Sequence, residues 1–229
     1  MKSSSQAIKN ETCLSCSAQG KGFLCCISEE VAEIIAKIKV NCEFKSGQFL
    51  FHAGAPPLGL YVVKRGIVKI ELLTDDGDAH TVRLIGAGGL VGYRSFFSNE
   101  NYKKSAIAIE DCEACFLPRY EATALLRDFP ELTLKLAKQL AEDLDYAERK
   151  WVDQIDKGAP ARIANALLFL NDKFAESSWT RKEIAEWAGT TPETVIRTLA
   201  QFEKDQLITQ NYRNFNILNR QGLVARSKL

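Results

Sequence analysis

The stretch "TRKEIAEWAGTTPETVIRTLAQFEK" (residues 180–204) decides the class of this chain. Thr180 stands where a side-chain oxygen can cap a helix, and Glu183, three residues on, completes a capping box. Ile184, Ala185 and Trp187 give that helix an apolar side. Gly189 ends it, because glycine enters the left-handed conformation at little cost. Thr191 then caps a second helix with Pro192 in first position, where a missing N–H is harmless. Val195, Leu199 and Phe202 form the face that packs the second helix on the first. The alternating "ITQNYRNFNIL" (residues 208–218) follows, with Asn214 near a hairpin tip. Together these describe a winged helix-turn-helix.

On the second helix, Glu193 and Arg197 lie one turn apart, opposite the packing face. A carboxylate can accept from cytosine N4, and a guanidinium can donate two bonds to guanine O6 and N7. The same spacing also suits a surface ion pair worth a few tenths of a kcal/mol. Inside a helix-turn-helix, base reading is the expected use. Thr180, Thr191 and Thr194 at the helix starts and Arg213 in the hairpin are the companion DNA contacts. From residue 209 onward there are four basic residues (Arg213, Arg220, Arg226, Lys228) and no acidic one, which suits phosphate contacts or simply a solvated tail.

Upstream, "DKGAPAR" (residues 156–162) carries the Gly and Pro of a helix boundary. Ile163, Ala166, Leu167 and Leu170 follow it on one helical face. Before it, helical periodicity runs from Tyr120, with a break expected at Asp128, Phe129 and Pro130. Leu140, Leu144, Ala147 and Trp151 then recur at steps of four, three and four, which is an a/d seam. Such a narrow seam predicts a two-stranded coiled coil and a homodimer; the competing arrangement is a helix lying on its own β domain.

Further upstream the period changes to that of strands. "GQFLFHAG" (47–54), "GLYVVKRGIVKIELL" (59–73), "HTVRLIGAGGLVGY" (80–93) and "KSAIAIEDCEACFLP" (104–118) are short apolar runs punctuated by turns at Gly66 and "DDGD" (75–78). They predict a jelly-roll. Ser28 caps a preceding amphipathic helix carrying Val31, Ile34, Ile35 and Ile38. The fold class is therefore α+β. A cysteine-rich segment (1–27) precedes a β-roll sensor domain (28–120), a dimerisation helix (121–157) and a winged helix-turn-helix domain (158–229).

Composition agrees with a globular chain: 229 residues, 46% hydrophobic, 26% charged and a net charge of +1. Disorder of the whole chain is excluded, and the net charge selects no partner. No secretory leader pattern or long apolar span is present, so a cytoplasmic protein with reduced thiols is expected, not a membrane protein. Of its seven cysteines, four fall within "TCLSCSAQGKGFLCC" (residues 12–26).

In the order of its parts, the chain resembles the Crp/Fnr transcription regulators. The residues that carry the resemblance are "ETVIR" (193–197), "ARIANALLFL" (161–170) and the β-roll runs "GQFLFHAG", "LYVVKRGIVKI" and "GLVGY". The resemblance implies a homodimer on a palindromic operator with TGA-like half-sites, and RNA polymerase as a partner. Ile196 stands where the family usually has Ser or Gly, so the resemblance does not carry over the flanking base preference. The family's cyclic-nucleotide cassette aligns with Gly92, Tyr93 and Lys104. Tyr93 has no carboxylate and Lys104 lacks the guanidinium fork, so cyclic AMP is not expected. Haem is not expected either, with only His52 and His80 in the chain, both in strand-like runs.

Fnr-type sensors resemble this chain in another respect: three N-terminal cysteines and a fourth before a strand-ending Pro hold a [4Fe-4S] cluster. That implies Cys13, Cys16, Cys25 and Cys115 as ligands, with Cys26 a rival for Cys25 and Cys112 a rival for Cys115. The eight residues between Cys16 and Cys25 exceed the interval in Fnr. A zinc site on Cys13, Cys16, Cys25 and Cys26, a metal-free thiol switch and the absence of any cofactor stay open beside the cluster. Cys42 is assigned to packing. A cupin-like metal enzyme would need a His and carboxylate set that two histidines do not furnish, so no catalytic role is expected.

Overall fold

Ser28 accepts a hydrogen bond from the Val31 N–H and starts α1 (Glu29–Ile38), as its place before an apolar-periodic run predicts. The computed structural model describes residues 13, 16, 18, 21–24, 27–211 and 214–228. After α1 come β1 (Val40–Phe44), β2 (Phe49–Phe51), β3 (Gly59–Arg65), β4 (Val68–Leu73), β5 (Ala79–Ile85) and β6 (Leu90–Val91). The short α2 (Tyr93–Ser98) precedes β7 (Ser105–Ala108) and β8 (Cys112–Pro118). These strands form two four-stranded sheets ordered β1-β8-β3-β6 and β2-β7-β4-β5. The two-sheet jelly-roll is thus the one its alternating runs predict. Leu50, Val63, Val68, Val91, Ala106 and Ala108 fill the interior, with Phe44, Phe51 and Tyr61 packed against them.

β8 runs antiparallel between β1 and β3, pairing Cys115 with Asn41 on one side and Val62 on the other. Successive side chains of a strand point to opposite faces, so residues three apart cannot share one. Cys112 accordingly belongs to the interior cluster, and Cys115 faces the other way. On the chain before α1, Phe23 is buried and its N–H donates to the Gly88 carbonyl at 3.0 Å. Gly22 and Gly88 permit this close approach: a Cβ on Gly22 would sit 2.2 Å from the Gly88 oxygen.

α3 (Arg119–Asp128) ends where Phe129 bonds back to Leu125, and Pro130 opens the 27-residue α4 (Pro130–Asp156). The break falls at the predicted tripeptide, since proline supplies no N–H to the turn before it. α5 (Ala159–Phe174), α6 (Arg181–Ala188), α7 (Pro192–Lys204), β9 (Ile208–Asn211), β10 (Asn214–Ile217) and α8 (Arg220–Arg226) complete the chain. α5 is the core of this helical part: Ile163, Ala164, Leu167 and Leu170 are fully buried, and α6, α7 and α8 pack around it. Each large aliphatic side chain buried there contributes about 1.5–3 kcal/mol.

The chain divides into two compact units, Met1–Ile70 with Leu84–Ala137, and Glu71–Arg83 with Lys138–Leu229. The outer half of the β4–β5 hairpin therefore belongs with the helical unit. There Arg83 pairs with the buried carboxylate of Asp143, and the Thr81 hydroxyl donates to Glu186 at 3.2 Å. Among the described residues no helix is long and apolar enough to cross a membrane.

Candidate nucleic-acid interface and cysteine site

Local chemistry builds the helix-turn-helix as its residues dictate. The Glu183 N–H donates to Thr180 Oγ1 at 3.1 Å while the Thr180 N–H donates to Glu183 Oε2 at 2.7 Å, completing the capping box. Gly189 ends α6 in the left-handed region at φ 64°. Thr191 caps α7 by accepting from the Thr194 N–H at 3.3 Å. Ile184, Trp187, Val195, Leu199 and Phe202 are buried between these elements. This fixes which side of α7 faces outward.

That outer side carries Glu193, Ile196 and Arg197, all exposed. The Glu193 carboxyl is held below its usual range by its own backbone N–H and by the Thr191 hydroxyl. Arg197 meets no carboxylate among the described residues. The ion pair that their spacing allows is therefore not made, and both charges stay available. Thr180 is different: its hydroxyl is committed to Glu183, donating to Oε2 at 2.7 Å. Of the basic tail, Arg220 is bound by both oxygens of Asp172 at 2.7 Å, and Arg226 pairs with Asp205 at 2.8 Å. Two of the tail's four basic residues are thus already paired with carboxylates. Arg213 lies outside the described residues.

One functional side chain escaped the sequence analysis. Arg162, in the first turn of α5, donates through Nε to the Ala188 carbonyl, through Nη2 to that of Gly189 and through Nη1 to that of Lys157. It ties the end of α4 and the start of α5 to the turn of the helix-turn-helix. Gln154 adds a bond to Ala188 at 3.3 Å. The available signal was a cation in a helix's first turn, where the macrodipole disfavours it.

On α4, Leu144 is 60% and Trp151 68% exposed, Ala147 is exposed and Leu140 half-buried. Ile155, equally open at 68%, extends the stripe by one more turn. A different face holds the helix to its own chain. Asp143 meets Arg83, and Tyr146 lies beside Phe169 and Trp187. Lys150 sits 3.7 Å over the Trp187 ring and donates to the Thr81 carbonyl at 3.3 Å. Burial lowers the Lys150 pKa to about 8.

The five described cysteines are free thiols. Cys13, Cys16 and Cys115 are buried, and the outward face of β8 brings Cys115 into the electrostatic reach of the other two. Burial raises the Cys115 thiol pKa, Lys39 and Lys64 oppose it, and Cys13 and Cys16 add to it. Burial likewise raises Cys13, opposed by the Lys39 ammonium 3.6 Å from its sulfur. Cys112 is separate: burial and then Glu110 and Glu113 push it up to about 11. Cys42 is half-buried in β1. Among the described residues no three His, Cys, Asp or Glu side chains converge to hold a metal ion. Cys25 and Cys26 lie outside the described residues. Thiols are the donor type a thiophilic centre takes, but Cys13, Cys16 and Cys115 do not by themselves form such a group.

In the β-roll, Tyr93 is buried and offers no carboxylate. Burial lowers the Lys104 pKa, and Arg94 and Lys103 lower it further.

Residues 41–129 match the cyclic nucleotide-binding domain model and residues 161–226 the Crp-like helix-turn-helix domain model. The chain is 25% identical over 205 residues to the fumarate and nitrate reduction regulatory protein of Vibrio cholerae, covering 86% of this chain and 80% of that one. It is 29% identical over 169 residues to the CRP-like cAMP-activated global transcriptional regulator of Mycobacterium tuberculosis, covering 70% and 75%. FixK2 from Bradyrhizobium japonicum superposes with a TM-score of 0.75 at 22% identity, covering 82% of this chain and 97% of that one. These matches are to regulators and not to enzymes. A nucleotide-binding-type β-roll followed, in this order, by a Crp-like DNA-binding domain places the chain in the Crp/Fnr family of transcription regulators.

Proposed function

We propose that two copies of this chain pair through Leu140, Leu144, Ala147 and Trp151 of α4 and read a palindromic operator. Each α7 lies in the major groove, where Glu193 accepts from a cytosine amine and Arg197 donates to a guanine. The observation that carries this reading is the Arg197 guanidinium, which meets no carboxylate among the described residues, on the same exposed helix face as Glu193. Thr191 and Thr194, at the positive end of α7, and Arg213 meet phosphates. Thr180, its hydroxyl spent on the capping box, acts by fixing the start of α6. The protein works in the cytoplasm, with RNA polymerase as its partner at the promoter.

The sensor is the cysteine site. Cys13, Cys16 and Cys115, with Cys25 or Cys26, would hold a [4Fe-4S] cluster, which supplies one-electron redox chemistry and lability toward oxygen. What supports this is the placement of Cys115 on the outward face of β8 with Cys13 and Cys16, while Cys112 is committed to the interior. Burial holds Cys13 and Cys115 as thiols, and Lys39 and Lys64 ease their conversion to the thiolates that ligation needs. A zinc site or a metal-free thiol switch would use the tail without Cys115. One relative is named as cAMP-activated, but Tyr93 and Lys104 lack the groups that the cassette of such a protein uses.

Anaerobic purification with iron, sulfide and zinc analysis, followed by gel shift and sedimentation, tests both halves. Iron and acid-labile sulfide in equal amounts, with a dimer that shifts a selected duplex, is the expected result. A colourless, iron-free dimer that still shifts that duplex removes the cluster. A monomer without sequence-dependent binding removes the DNA reading.

A further inference from the structure

Between the end of α5, the segment 175–179 and the two strands of the wing lies a cavity of about 290 Å³, at the small end of ligand sites. Phe174, Trp179 and Phe215 give it apolar walls, the first two rings 5.9 Å apart and inclined at 57°. Asn171, Asn216 and Glu176 add two amides and a carboxylate, and no Lys, Arg or His stands among the described residues that line it. Trp179 is 3% exposed, and its indole N–H meets no acceptor among the described residues. A buried donor left so costs stability, and an occupant that accepts from it removes the cost. An anion would face the carboxylate with no cation to meet it, and a cation cannot answer the indole donor. The indole only donates, the carboxylate only accepts and each amide does both, so the neutral group that answers all of them is a hydroxyl. The apolar faces of a sugar ring suit the aromatic walls. We propose that this cavity binds a small neutral polyol of the size of one monosaccharide. Such an occupant bridges α5 to β9 and β10 and ties the wing to the helical core. None of the described lining residues belongs to α7 or to the cysteine segment, so the site gives the DNA-binding unit an input of its own. Its effect on operator binding rests on the proposed DNA reading; its occupancy does not.

Calorimetric titration of the full-length protein with D-glucose, D-ribose and myo-inositol tests this. At least one of them should bind saturably and raise the thermal unfolding midpoint. Trp179→Phe keeps an aromatic ring and deletes the donor, and should weaken that binding about tenfold, the worth of one well-placed hydrogen bond. Asn216→Ala, at an exposed position of β10, should weaken it similarly and keep the parent's unfolding without sugar. No saturable binding of any of the three, or either variant binding as the parent does, overturns the assignment and leaves the DNA reading untouched.

Discussion

The guanidinium of Arg162 donates to the Gly189 carbonyl at 3.0 Å, and at the same distance to that of Ala188. Its third bond, 2.7 Å to Lys157, reaches the residue just past α4. The turn that aims α7 is therefore fastened to the end of the long helix by one side chain. Replacing it leaves three carbonyls short of a charged donor. Arg162→Met is expected to lose about 2–4 kcal/mol of stability by urea unfolding, and operator affinity in a gel shift. Unchanged affinity would show that the orientation of α7 does not depend on this tie.

Arg197 has no folded-state partner among the described residues, so its removal should leave the unfolding midpoint in place. Specific operator affinity should nevertheless fall by about 1–3 kcal/mol in Arg197→Ala, with nonspecific binding nearly unchanged. Competition titrations with specific and random duplexes make the comparison. Equal losses on both would assign Arg197 to a phosphate.

The α4 stripe predicts the oligomeric state. Leu144 and Trp151 are open to water in the single chain, so a charge at Leu144 costs the monomer little and a coiled-coil seam a great deal. Sedimentation equilibrium of Leu144→Glu at micromolar concentration should give a monomer of unchanged helix content. A persistent dimer would move the interface elsewhere.

Cys112 and Cys115 should separate in iron content. Cys115→Ala is expected to purify anaerobically with little iron. Cys112→Ala should keep its iron and lose about 1–2 kcal/mol of stability, as a small buried side chain shrinks. The reverse pattern would assign the ligand role to the interior thiol.

Lys150 gives a pH signature. Its folded pKa of about 8 lies below the value near 10.4 of an unfolded lysine. Between roughly pH 8 and pH 10.4 the unfolded chain thus holds more protons, and stability from this group rises with pH. Below pH 8 both states are charged, and the cost of the buried ammonium is felt in full, offset in part by the Trp187 ring. The difference in unfolding free energy between the parent and Lys150→Met should climb in favour of the parent across that window. A flat difference would mean that water reaches the ammonium freely.

The sequence by itself determined whatever rests on neighbours within a helical turn or on strand alternation. The Thr180–Glu183 box, the Gly189 stop, the Thr191 cap, the Pro130 restart and the alternating runs of the β-roll all fall where their residues place them. Each depends on backbone groups one to four positions away, or on a period of two. Tertiary structure alone decided which of Cys112 and Cys115 looks outward. Alternation says that they differ, and only the pairing of β8 between β1 and β3 says how. It also decided that Arg162 grips a turn 26 and 27 residues away, and that Arg220 and Arg226 are consumed by Asp172 and Asp205. Such contacts form only after the chain has closed long loops, and no local pattern records which distant carbonyl or carboxylate will arrive.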